Sequence, residues 1–225
     1  MNSTFMFNED RFGPADDFPA TYHHLGGRAL TPFAVERAIR AAFSFLDARY
    51  GDPGYQDDFP SLAEAFAATA PELPQTEREL LEATFAAHEL GTVPAECVET
   101  LRALSARHEL RLLTNIWARK DTWLEYLSRI GVLPLFRRTV FSSDTRSVKP
   151  SARLLEAVLE GVAWSRREVL MVGDSLARDL RPARRGGLTT LMVSAAVIPA
   201  HARDCVDYQV SSITALTEEF RSPAG

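Results

Sequence analysis

The sequence predicts an α/β protein: a Rossmann-like, three-layer core with a parallel sheet, plus an all-helical domain. Three observations predict it. From residue 110 onward, short apolar runs of strand length alternate with amphipathic runs of helix length, the rhythm of a parallel sheet with helices on both faces. Residues 31–93 keep helical spacing throughout and contain no strand-like run. Residues 168–172 are almost all apolar, as a strand covered on both faces would be, and they run into Gly173-Asp174-Ser175.

Composition limits the function classes. A hydrophobic content of 46% and a charged content of 24% suit a globular chain with a sizeable core. A net charge of -5 gives no reason to expect a nucleic-acid partner. Cys97 and Cys205 are far apart and lack metal-type spacing, so neither a disulfide framework nor a zinc site is expected, in keeping with a reducing, cytoplasmic setting. No apolar run approaches the ~20 residues of a membrane span, and the N-terminus lacks the basic-then-apolar pattern of a signal peptide.

The elements are expected as follows. Residues 1–30 read as the start of the core with a flap and a hinge. Phe5-Met6-Phe7 and Arg11-Phe12 would be the arms of a small hairpin, Gly13-Pro14 and Gly26-Gly27 turns, and His23-His24 surface turn residues. The strand that usually opens an α/β domain is missing here. Residues 31–93 read as a helical insert. Thr31 would cap its first helix, with Pro32 in the first turn and Val35, Ile39, Ala42, Phe43, Leu46 and Tyr50 at helical spacing. Gly51-Asp52-Pro53-Gly54 ends that helix, and residues 61–70 and 76–90 supply two more. Residues 94–225 read as the α/β core. Helices are expected at 94–108, 121–130, 151–160, 176–185 and 213–220, and strands at 110–114, 138–141, 168–172, 188–193 and 206–210.

Three strand ends bring chemistry to one sheet edge. Thr114-Asn115 closes the first strand with a hydroxyl and an amide. Lys149-Pro150 precedes a helix. Asp174 closes the central strand. In a parallel sheet all three face the same edge, where ligands bind. A hydroxyl, helix-terminal amides and an ammonium suit a phosphate. A carboxylate beside them suits Mg²⁺, which takes few protein oxygens. Each element has a plainer reading alone: Asp174 or Ser175 as a helix cap, Thr114-Asn115 as a turn, Lys149 as a surface residue. Their order and strand contexts together are more specific.

On these residues the sequence resembles the haloacid dehalogenase superfamily of hydrolases with a helical cap. Gly173-Asp174-Ser175, Asp179, Ala183-Arg184 and Gly187-Leu188 follow that family's last motif. The resemblance implies that Thr114 binds phosphate, that Lys149 stabilises nucleophile and phosphate, and that Asp174, with Asp179, holds Mg²⁺. It implies that residues 31–93 are the cap that selects the substrate.

The first motif departs from the pattern. The family's reaction needs Asp-x-Asp-x-Thr: the first Asp attacks phosphorus, and the second protonates the leaving group. Two placements exist. In the first, Asn2 occupies the second-Asp position and Thr4 the threonine position. The nucleophile then falls one residue before Met1, and residues 5–12 are the flap. Asn2 cannot shuttle a proton, although its backbone carbonyl could bind the metal; Glu9, His23 and His24 are the flap groups that could replace it. In the second, Asn8 stands for the nucleophile, Asp10 for the acid/base and Phe12 for the threonine. The first placement matches the threonine and the apolar residue after it.

The resulting expectation is a Mg²⁺-dependent phosphatase acting on a small phosphorylated substrate, with catalytic Thr114, Asn115, Lys149, Asn2 and Thr4, and metal ligands Asp174, Asn2 and Asp179. The other readings are an inactive binding or regulatory protein of the same fold and a metal-free dehalogenase. A nucleotide-binding Rossmann domain is disfavoured, because no Gly-x-Gly-x-x-Gly follows a strand.

Overall fold

The structure, a computed structural model, describes residues 1–219. Its helical block begins earlier than expected. Helix α1 (Phe18–His24) forms where turns were expected. Asp17 caps it by accepting the Ala20 N–H at 2.9 Å, and Phe18 and Tyr22 are its buried face. Seven residues are too few to display a helical period. His23 and His24 are its last turn, and the His23 ring lies 2.9 Å from the Gly27 carbonyl.

Helix α2 (Pro32–Tyr50) starts at the Thr31 cap, whose hydroxyl accepts the Ala34 N–H at 3.2 Å. Its buried stripe is Val35, Ala38, Ile39, Ala42 and Leu46. A reciprocal Ser61–Glu64 capping box opens α3 (Leu62–Thr69), and α4 (Gln75–Glu89) follows after Pro74. Helices α1 to α4 pack on one another. Among the described residues no helix is long and apolar enough to cross a membrane.

Residues 5–12 do not form the expected hairpin. Phe7 pairs antiparallel with Thr92, through N–H···O contacts of 2.8 and 2.7 Å. Asp10 and Arg11 donate their N–H groups to the Glu89 and His88 carbonyls at 3.3 and 2.9 Å. The Arg11 guanidinium adds bonds to the Leu90 and Ala87 carbonyls at 2.9 and 2.6 Å. The last carbonyls of α4 have no partner within the helix, so the segment that meets them gains more than a two-stranded hairpin would. Phe12 is thereby packed against Phe18, Phe43 and Phe85, at centroid distances of 5.9, 4.9 and 4.5 Å.

Beyond α5 (Ala95–Ser105) the α/β alternation holds. Strand β1 (Leu110–Thr114) is followed by α6 (Asp121–Arg129), β2 (Phe136–Phe141), the short α7 (Ser142–Thr145) and α8 (Ala152–Leu159). Next come β3 (Leu170–Gly173), α9 (Arg181–Arg185), β4 (Thr189–Val193), β5 (Tyr208–Val210) and α10 (Leu216–Glu219). The end expected for the last helix, Phe220, lies outside the described residues. Among the described residues the named strands pair in parallel, but they fall into two ladders, β1-β2 and β3-β4-β5, rather than one sheet.

Strand β3 also starts later than its apolar run suggested, because Arg166–Glu168 are taken by a turn closed by Ser165 and Glu168. Leu170, Met171 and Val172 are half-buried, not covered on both faces. Among the described residues β3 has a strand partner on its β4 side alone. One large core nevertheless joins the two halves, running from Ile39, Phe66 and Phe85 in the helical block to Leu112, Trp123 and Phe141. A smaller cluster (Val140, Leu154, Leu155, Val158, Ala183 and Leu188) seats α8 and α9.

Candidate active site

The carboxyl ends of β1 and β3 and the loop before α8 meet at one edge, and the first residues of the chain come to the same place. Thr4 is buried and donates its hydroxyl to Asp174 Oδ1 at 3.0 Å, with the Asn2 carbonyl 3.3 Å away. Asn2 Oδ1 is buried and has no hydrogen-bond partner among the described residues. A buried oxygen of this kind carries a desolvation cost unless a donor or a cation reaches it. The Met1 amine lies among Lys149, Asp174 and Asp179. Burial and the Lys149 charge push it from 8.0 down to about 6, against the opposing pull of Asp179, Asp174 and Glu9.

Lys149 and Asp179 form an ion pair of 2.7 Å, with side-chain exposures of 14% and 6%. The second oxygen of Asp179 accepts the Ser175 N–H at 3.1 Å. Both oxygens of Asp179 are therefore engaged in holding the lysine and the turn after β3. Gly173 makes that approach possible: a Cβ on it would lie 2.7 Å from Asp179 Cβ, Cγ and Oδ2. Close approach, more than freedom to turn, is the reason for glycine here. The plain reading of Ser175 holds, since its hydroxyl accepts the Arg178 N–H at 3.2 Å. The helix it caps opens with a wide π turn, Leu176–Leu180, a form that recurs at functional sites.

At the end of β1, Thr114 is buried, and its hydroxyl lies 3.4 Å from the Asn115 carbonyl. Asn115 is a junction. Its Oδ1 accepts the Lys149 N–H at 2.9 Å, and its amide nitrogen donates to Tyr50 Oη at 2.8 Å. The next residues are pinned from two sides. Ser142 Oγ accepts the Ile116 N–H at 2.9 Å and donates to the Ile116 carbonyl at 2.8 Å. Glu89, at the end of α4, accepts the N–H groups of Trp117 and Ala118 at 2.5 and 2.8 Å.

The structure thus gathers Asn2, Thr4, Lys149, Asp174 and Asp179, with Asn115 reaching the group through the Lys149 amide and Thr114 next to Asn115 in the chain. It does not gather the residues of the other first-motif placement in the same way. Asn8 is exposed, and its amide reaches Thr92 Oγ1 at 3.5 Å. Asp10 lies toward Arg178, and desolvation by the protein around it, together with Glu9, raises its carboxyl to about 6.

Three residues at this edge escaped the sequence reading. Tyr50 counted there as one more position at helical spacing, and Arg178 was given no role. Glu89 is a polar residue at a helix end, which carries no signal of its own. Trp117 packs among Phe43, Tyr50, Phe59 and Phe85, at ring-centroid distances of 5.3, 5.4, 6.2 and 6.3 Å.

Among the described residues no group of three or more His, Cys, Asp and Glu side chains could hold a metal ion. Mg²⁺ keeps several waters and is usually bound by one or two carboxylates with substrate oxygens. The carboxylate of Asp174 and the orphaned Asn2 Oδ1 are hard oxygen donors of that kind, and they fit such an ion.

The sequence pattern of the family described as haloacid dehalogenase-like hydrolases matches residues 61–193. The chain belongs to the haloacid dehalogenase-like hydrolases. A stretch of 87 residues is 28% identical to the pyrimidine 5'-nucleotidase PynA of Streptococcus pneumoniae. That match covers 38% of this chain and 37% of that protein, well under two thirds of its length. Among solved structures, the fold is similar to a phosphatase of this family from Thermococcus onnurineus. The TM-score is 0.60 at 21% identity, over 91% of this chain and 88% of that one. It is equally similar to the 2-haloacid dehalogenase of Pseudomonas syringae pv. Tomato DC3000, with a TM-score of 0.61 at 16% identity, over 96% and 94% of the two chains. At such identities the likeness is one of fold, and it does not separate phosphatase from dehalogenase.

Proposed function

We propose that this hydrolase cleaves small phosphate monoesters with the help of Mg²⁺, through an aspartyl-phosphate. The observation that carries the reading is the Thr4–Asp174 hydrogen bond, 3.0 Å, beside the orphaned Asn2 Oδ1. It joins the Asn-x-Thr remnant of the first motif to the acidic end of β3, which is where a phosphatase of this family needs an oxygen-rich seat. A metal-free dehalogenase has no use for that seat. The nucleotidase PynA makes nucleoside monophosphates the first substrates to try.

In this reading Asp174 and Asn2 hold the ion, which when bound neutralises phosphate charge and polarises the phosphorus centre. The Thr114 hydroxyl binds a phosphate oxygen. Lys149, aimed by Asp179, stabilises the charge on the phosphoryl oxygens.

Phosphate release, measured with and without EDTA, tests this on protein made both from Met1 and from the codons upstream of it. Release that requires the upstream residues and stops with EDTA supports the reading. Chloride release from 2-chloropropionate that survives EDTA overturns it in favour of a dehalogenase. A second reading, a binding protein of this fold, is favoured by the amide at Asn2, which cannot act as an acid. It predicts phosphate-ligand binding without turnover in either form of the protein.

A further inference from the structure

Two cations face the acidic edge of the site, and their circumstances differ. Lys149 is committed to Asp179 at 2.7 Å. Arg178 is exposed, and among the described residues its guanidinium has no ion pair and donates no hydrogen bond. It is held by a ring instead: its central carbon lies 4.0 Å from the centroid of Tyr50. That ring is itself fixed, since Tyr50 Oη accepts from Asn115 at 2.8 Å and the ring meets Trp117 edge-on at 5.4 Å.

The chain of contacts from Lys149 through Asn115 and Tyr50 to Arg178 places an unspent guanidinium beside the phosphate-binding residues, on the side of the helical block. Asp10 feels the Arg178 charge, but among the described residues the two make no ion pair. A guanidinium in this state presents planar, paired N–H donors, which match a carboxylate or a phosphate in two-bond geometry. Covering one face with an aromatic ring removes water from that face and leaves the donor edges open.

We propose that Arg178, steadied by Tyr50, binds a second anionic group carried on the alcohol part of the substrate. This rests on the phosphomonoester reading given above and adds a charge requirement to it. The site then selects doubly anionic substrates over simple alkyl phosphates. The source of the second charge, a carboxylate or a further phosphate, is left to the assay.

Equilibrium binding tests the idea without requiring turnover. Calorimetric titration of the full chain, in Mg²⁺, compares ethyl, propyl and butyl phosphate with analogues of the same lengths that end in a carboxylate or a second phosphate. At least one doubly anionic ligand is expected to bind about tenfold tighter or more than its alkyl partner, the size of one charge-assisted hydrogen-bond pair. Arg178→Gln is expected to bring that ratio to within about twofold while leaving alkyl phosphate binding unchanged, and Tyr50→Leu to reduce the ratio in part. Equal binding of both ligand types by the unaltered protein, or a preference that survives Arg178→Gln, overturns the proposal. If no alkyl phosphate binds, with or without Arg178, the phosphomonoester reading itself has failed and the proposal falls with it.

Discussion

The backbone N–H of Trp117 donates to Glu89 at 2.5 Å, and that of Ala118 to the other oxygen of the same carboxylate at 2.8 Å. Glu89 is 4% exposed. It ends the last helix of the helical block, while Trp117 and Ala118 follow the first core strand. One buried carboxylate therefore ties the helical block to the loop that carries Asn115.

Burial raises the Glu89 carboxyl from 4.5 to about 8, against the pull of the two N–H donors. The folded state thus binds a proton here that the unfolded chain releases above about 4.5. Stability associated with Glu89 is full at low pH and is lost as pH rises from about 4.5 toward 8. Glu89→Gln keeps one acceptor and faces its amide toward the other N–H, so it is expected to cost about 1–3 kcal/mol at pH 5. It should also flatten the slope. Urea unfolding at several pH values checks both; an unchanged slope in the variant contradicts this account of Glu89.

The Lys149–Asp179 pair predicts a sharp asymmetry. Asp179→Ala leaves a nearly buried ammonium without its partner and is expected to cost about 3–5 kcal/mol. Replacing both by apolar residues, Lys149→Met with Asp179→Leu, should recover most of that loss. A double-mutant cycle by denaturant unfolding reads the difference.

Gly173→Ala is expected to fail for a local reason. The new methyl would lie 2.7 Å from three atoms of Asp179, which cannot retreat because Lys149 and Ser175 hold it. A loss of about 1–3 kcal/mol is expected, together with loss of Mg²⁺ stabilisation. Alanine at Gly51, where a Cβ meets nothing within 4 Å, is the control and should be nearly neutral.

The proposed Mg²⁺ seat at Asp174 and Asn2 gives a prediction that needs no turnover. At about a hundredfold over its dissociation constant a bound ion adds about 2.7 kcal/mol to stability. That gain should vanish in Asp174→Asn, because the seat loses its charge, and fall in Asn2→Ala. Thermal unfolding with and without Mg²⁺ measures it; a gain that persists in Asp174→Asn places the ion elsewhere.

How much of this could be read from the chain depends on which signals are local. Strand β1 and the longer helices from Pro32 onward announce themselves through period, caps and prolines, since each is set by residues close in the chain. The acidic turn after β3 carries its own spelling, Gly173-Asp174-Ser175. The first 30 residues resist the same reading because their partners are remote: Phe7 finds Thr92, Arg11 finds Leu90, and Thr4 finds Asp174, 170 positions away.

By itself, then, the sequence determined the α/β class, the helical block and the identity of the strand-end residues, because periodicity and turn chemistry are short-range. Tertiary structure alone decided the division into two ladders, the engagement of both Asp179 oxygens, the clamp by Glu89 and the seat of Arg178 on Tyr50. Those depend on which surfaces meet after packing, and desolvation gives a side chain its charge and partners only once they have met.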